Sequence, residues 1–161
     1  MRKRRSLEYR RIVVAVSDSE ESVHATAVAA QLVAQKGELV FVHVLEVPLE
    51  FQLDARPPAE EEPGRRKGID LLARCQALAE RYGVSSKRVL ERQHAAGPAI
   101  VEAAERKGAS LIVLSGEQRF ARSGRVRLGT TATYVLKHAT CRVMVISGQP
   151  EQFAAATAKV A

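Results

Sequence analysis

Arg11-Ile12-Val13-Val14-Ala15-Val16-Ser17-Asp18-Ser19-Glu20-Glu21 is the stretch that decides the fold. A basic lead is followed by an unbroken apolar run, Ile12 to Val16, and then by a polar turn. A strand with one wet face alternates apolar and polar residues. A continuous run instead marks a strand covered on both faces, as in a parallel sheet. The turn supplies a helix start, with Asp18 as N-cap and Glu21 three residues on, or with Ser19 as the cap. Val23, Ala27, Ala30 and Ala34 recur at helical spacing, and Lys36-Gly37 is a helix stop.

Working outward, Leu39 to Leu45 is a second strand interrupted only by His43. Residues 46–64 hold Pro57-Pro58, Glu60-Glu61-Glu62 and Pro63, so 47–64 is expected to be the most mobile segment. The acidic run reads as a solvated loop. A helix from Arg65 to Tyr82 carries Ile69, Leu72 and Ala79 on one face, with Leu71, Cys75 and Leu78 beside them, and Gly83 ends it. Val89 to Gln93 has the mixed polarity of an edge strand. Gly97-Pro98 opens a helix that Gly108 closes, with proline in its first turn. Leu111 to Leu114 is another doubly buried strand, 115–128 a Gly- and Arg-rich loop, Gly129-Thr130-Thr131 the start of a last helix, and Arg142 to Ile146 the last strand.

Strands alternating with helical crossovers imply a parallel α/β sheet with right-handed connections and helices on both faces. The expected domain spans 9–147, between a basic tail 1–8 and a tail 148–161. Ligands of such open sheets bind beyond the strand carboxyl ends, where the strand order reverses. That places Ser17, the residues after Val44, and the Gly116–Gly129 loop on one rim.

Composition narrows the classes of function. The chain has 161 residues, 46% of them apolar and 27% charged, which suits one soluble domain with a real core. No apolar run approaches the roughly 18 residues of a membrane span, and no leader-like apolar stretch follows Arg2–Arg5. Cys75 and Cys141 fit no metal or redox spacing, so both read as reduced core residues of a cytoplasmic protein. The net charge of +7 gathers in Arg2–Arg5 with Arg10 and Arg11, and in Arg119, Arg122, Arg125 and Arg127. Such clusters suit phosphate, acidic lipid or nucleic acid. Nucleic acid is disfavoured because only Phe120 interleaves the second cluster, and stacking needs aromatics. The second cluster either neutralises phosphates or is an exposed loop. His43 reads as a hydrogen-bonded core residue. No nucleophile elbow and no zinc spacing is present.

Arg11 to Ser22, His43-Val44, Gly97-Pro98-Ala99-Ile100, Leu111 to Gly116, and Gly129-Thr130-Thr131 through Cys141 to Ile146 resemble, in this order, the universal stress protein family. The resemblance covers about residues 8–147. It implies a five-stranded open sheet of order 3-2-1-4-5 and a homodimer made by the last strand, here Val143, Met144, Val145 and Ile146. In one branch of the family it implies ATP, with magnesium only alongside the nucleotide. It also implies that Ala15, Val16 and Val44 meet the adenine region, and that Ser17, Gly116, Arg119, Gly129, Thr130 and Thr131 surround the rest of the ligand.

Two positions depart from the family pattern. The branch that binds ATP carries a second glycine where Arg119 stands, three residues after Gly116 and ten before Gly129. It also carries an aspartate directly after the first strand, where Ser17 stands. Arginine removes glycine's conformational freedom but offers phosphate a planar set of donors. Two expectations follow, of different classes. One is a stress-response module that binds an adenine nucleotide without conventional catalysis, slow ATP hydrolysis being its enzymatic variant. The other is a nucleotide-free dimer working through protein, transporter or membrane-surface contacts.

Overall fold

Ile12, Val13 and Val14 are wholly buried at the middle of β1 (Tyr9–Ala15), the central strand of the sheet. This is a computed structural model, and it describes residues 9–18, 20–55, 57, 62–116, 118–120 and 126–147. The side chains of 20, 118–120 and 126–127 lie outside the description. So do the basic run Arg2–Arg5, the cap candidate Ser19, Glu60, Glu61, Arg122, Arg125 and both tails.

Along β1, successive side chains enter opposite layers. Ile12 and Val14 pack with Ala25 and Ala29 of α1 (Glu20–Leu32) and with Leu72, Cys75 and Ala79 of α2 (Arg65–Arg81). Val13 and Ala15 pack with Ile100 and Ala103 of α3 (Ala96–Lys107) and with Ala132 and Val135 of α4 (Thr130–His138). A strand covered on both faces has no place for polar side chains, which is why its run is unbroken.

The other long strands are β2 (Val33–Glu46), β3 (Ser85–Gln93) and β4 (Leu111–Ser115). After β4 come the short β5 (Gln118–Phe120) and β6 (Val126–Leu128), and then β7 (Arg142–Ile146). The main sheet is parallel throughout, in the order β3-β2-β1-β4-β7. Counted over the five long strands this is the expected 3-2-1-4-5. The polar strand β3 does lie at an edge. Among the described residues no helix is long and apolar enough to cross a membrane.

Local expectations fail at several points. α1 ends at Leu32, so Ala34, Lys36 and Gly37 lie in β2 rather than at the end of a helix. The 115–128 segment is not all loop, because β5 and β6 pair antiparallel with Phe120 opposite Val126, residue types that favour strands. The buried stripe of α2 runs Gly68, Leu72, Cys75, Ala79, while Ile69 is 42% exposed. Glycine had disguised the start of that stripe. Glu62, read as solvated, has a side chain only 7% exposed and is held by Arg92 and Arg65 at 2.7 and 3.1 Å. Cys75 is buried and Cys141 half-buried, and both are free thiols pushed up in pKa by burial.

Glu38, at the start of the β2–β3 pairing, bonds Arg11 at 2.6 Å and Lys87 at 3.0 Å. The bond from Lys87 holds its carboxyl below the usual range, Arg11 adds to this, and partial burial pulls the other way. A carboxyl lowered by folding stabilises the native state above its ordinary pKa and loses that contribution as pH falls through the lowered value. Glu38→Gln is therefore expected to flatten the acid limb of stability below about pH 4.5, as read by urea unfolding across pH. An unchanged acid limb would contradict this role.

Candidate functional site

The carboxyl ends of β1, β2 and β4 leave a cavity of about 640 Å³ against the first turns of α3 and α4. It lies at the reversal of strand order between β1 and β4. Of the nine residues expected around a ligand, seven line it: Ala15, Val16, Ser17, Val44, Gly129, Thr130 and Thr131. Its size falls within the ordinary range for small-molecule sites.

The other two are placed differently. Gly116 is buried off the lining, where its N–H donates to the Ile146 carbonyl at 2.8 Å. A Cβ there would sit 2.5 Å from Val145 Cγ1, so glycine serves the approach of β7. Arg119 stands on β5 opposite Arg127, and its side chain lies outside the described residues.

Residues beyond those nine complete the wall. Val42, Ile100, Leu114 and Ala132 give it an apolar side. Asp18, Glu21, His43, Glu46 and Ser115 give it a polar one. His43 is hydrogen-bonded as expected, its Nδ1 donating to the Val16 carbonyl at 2.8 Å, yet the residue also lines the cavity. Gly68 of α2 lies so close that a Cβ would be 2.4 Å from His43 Cδ2. Proximity of β2 and α1 residues to the end of β1 depends on strand register, which local sequence does not display.

The turn after β1 is not a set of free donors. Val16 N–H donates to the Val42 carbonyl at 2.8 Å. Ser17 N–H donates to Ser22 Oγ at 2.9 Å, and Ser22 is buried. The Ser17 hydroxyl lies 3.2 Å from Ser22 Oγ and 3.5 Å from Ser115 Oγ, which spans the gap from β1 to β4. Donors are better found at α4. Its first helical bond runs from Thr133 N–H to the Gly129 carbonyl, so the N–H groups of the preceding turn have no partner within the helix. Gly129 caps that helix in an extended conformation, φ −60° and ψ 162°, with no side-chain capping bond.

The charged groups have partners of their own. Asp18 pairs with Lys67 of α2, and Glu46 Oε1 accepts the Ala96 N–H at 2.8 Å. Glu21 is half-buried in the first turn of α1. The geometry fits an adenine nucleotide in outline. An apolar slot suits the base, hydroxyls at Ser17 and Ser115 suit a sugar, and the α4 N-terminus suits a phosphate.

An open parallel sheet with a cavity of this make at its switch point defines a ligand-binding α/β domain. The chain belongs to the universal stress protein family, whose model matches residues 8–147. It is similar to a universal stress protein of Methanocaldococcus jannaschii, 29% identical over 141 residues and covering 86% of this chain and 82% of that one. A solved structure of a family protein from Burkholderia pseudomallei is 30% identical, with a TM-score of 0.62, covering 86% of this chain and 96% of that one. A universal stress protein from Archaeoglobus fulgidus in complex with dAMP shares the fold at 22% identity and a TM-score of 0.57, covering 86% and 98%. Two other proteins of this fold are in complex with cAMP and with AMP.

Proposed function

We propose that this chain is a regulatory module that binds an adenine nucleotide in the β1–β4 cavity and holds it without turnover. The observation that carries the proposal is the meeting of Ser17, Val44 and Gly129-Thr130-Thr131 around one cavity with the N-terminus of α4 at its end. Complexes of the fold with AMP, dAMP and cAMP support the ligand class. Magnesium would come with the phosphates, as their counter-ion. The lining carboxylates Asp18 and Glu46 already have partners, which supports binding over hydrolysis.

Mass spectrometry of the purified, denatured chain is expected to reveal an adenine nucleotide, and added AMP or ATP to raise Tm. Ligand at a hundred times its Kd adds about 2.7 kcal/mol, which is several degrees for a chain of this size. Absence of co-purified nucleotide together with an unmoved Tm at millimolar ligand would defeat the proposal. Phosphate release from ATP faster than in buffer would defeat its non-catalytic part.

The same module is proposed to pair through β7. Among the described residues its outer edge has no neighbour in the sheet, and Val143, Met144, Val145 and Ile146 are only half-buried. An unpaired, apolar edge of this kind is a template for a second strand. Sedimentation is expected to give the mass of a dimer.

A further inference from the structure

We infer that the acidic wall of the cavity makes it select adenine ligands of low phosphate count, with Asp18 and its partner Lys67 as the residues that set the selectivity. The inference rests on the adenine-nucleotide proposal and refines it.

Three carboxylates, Asp18, Glu21 and Glu46, stand on the lining, and no Lys or Arg stands there among the described residues. Opposing them is the N-terminus of α4, worth roughly half an elementary charge. A nucleoside brings no charge and meets only the apolar slot and the hydroxyls. One phosphate brings about −1.5 to −2, which the helix end and its N–H groups partly answer. Each further phosphate adds negative charge without adding another helix terminus, so the carboxylates weigh more heavily with every one.

The three carboxylates are not equally answered. Glu46 is held on the α3 N-terminus by the Ala96 N–H. Glu21 lies in the first turn of α1, near that helix's own positive end. Asp18 depends on Lys67, and both side chains are more than half exposed, 58% and 63%. An ion pair so open to water is easily exchanged. Lys67 can turn from Asp18 to a phosphate, but it then leaves Asp18 facing the same anion. Asp18 is therefore the charge that a polyphosphate meets, and Lys67 the charge that masks it.

The test is equilibrium titration of the full chain with adenosine, AMP and ATP, each with and without Mg²⁺, for the native protein, Asp18→Asn and Lys67→Ala. The native chain is expected to bind AMP roughly tenfold more tightly than metal-free ATP, and Mg²⁺ to narrow that gap. Asp18→Asn is expected to raise the ratio of ATP to adenosine affinity roughly fivefold, the size an exposed charge pair reaches, and Lys67→Ala to lower it. Raising the salt shrinks all three differences.

Tightest binding by metal-free ATP would overturn the inference, and would mean that the 117–127 segment supplies the missing cations. An Asp18→Asn effect of equal size on all three ligands would also overturn it, because Asp18 would then act through the shape of the turn. Either failure leaves adenosine binding by the native chain intact. Loss of binding for adenosine as well would instead remove the nucleotide proposal, and this inference with it.

Discussion

Arg92→Met is expected to destabilise the folded chain by about 3–5 kcal/mol, the cost of leaving a buried charge without its partner. Arg92 and Glu62 are 2.7 Å apart, with side chains 11% and 7% exposed. The guanidinium also donates to the backbone carbonyls of Gln52, Leu53 and Ala55. One side chain thus gathers the connection between β2 and α2 onto the edge strand β3. Removing it leaves the Glu62 carboxylate, among the described residues, with Arg65 alone at 3.1 Å, and leaves three carbonyls to find water. Urea unfolding should show the loss as a lower midpoint, and a thermal scan as a fall of about 10 °C. Adding Glu62→Gln to Arg92→Met should recover part of the loss, since the uncompensated charge is gone. A single-variant cost below about 1 kcal/mol would mean that Glu62 swings freely into water and that the pair is an ordinary surface one.

That pair also marks where sequence reading stops. Glu60-Glu61-Glu62 is, by composition, a solvated run, and nothing local separates its third member from the others. Burial of Glu62 arises from contact with a residue 30 positions away on β3. The doubly buried strands were legible because burial on both faces leaves a local trace, the loss of alternation in Ile12 to Val16 and Leu111 to Leu114. Strand order and parallel direction followed from the crossover lengths and the resemblance.

The site was legible in its frame and less so in its chemistry. Ser17, Val44 and Gly129 to Thr131 sit at strand ends and a helix start, which alternation alone locates. His43 was read only as core, because a histidine within an apolar run gives no sign of which way it faces at the end of its strand. Gly116 looked like a phosphate loop residue, yet its lack of a side chain answers the closeness of Val145 on β7. The turn after β1 reads as a helix start, but its Ser17 N–H is already taken. Ser22 lies one helical turn further on, and its hydroxyl takes that N–H, a capping arrangement that sequence allows but does not dictate.

Gly97→Val should have the second large effect, about 3 kcal/mol of lost stability together with weaker nucleotide binding. Gly97 is buried in the first turn of α3 and faces α4. A Cβ at that position would lie 2.8 Å from Tyr134 Cβ and 2.9 Å from its Cγ and Cδ1. The Tyr134 Cβ cannot rotate away, since it is fixed to the α4 backbone, and the ring beyond it stacks on His138 at 4.1 Å between centroids. The two helices must therefore separate or tilt, and overpacking of this kind costs about 1–3 kcal/mol, with a branched side chain at the upper end. The gain in helix propensity over glycine, at most about 1 kcal/mol, offsets only part of it. The same displacement reaches the cavity, because Ala96 and Ile100 of α3 and Thr130, Thr131 and Ala132 of α4 form facing parts of its wall. Moving the α4 N-terminus by a few tenths of an ångström lengthens its N–H contacts to a phosphate while leaving the slot between β1 and β2 in place. AMP affinity should then fall further than adenosine affinity, as measured by titration of variant and native chains under conditions where both are folded. Equal losses for the two ligands would show that the wall moves as one body, and full stability with full AMP affinity would show that α4 yields to the new side chain at no cost to the site.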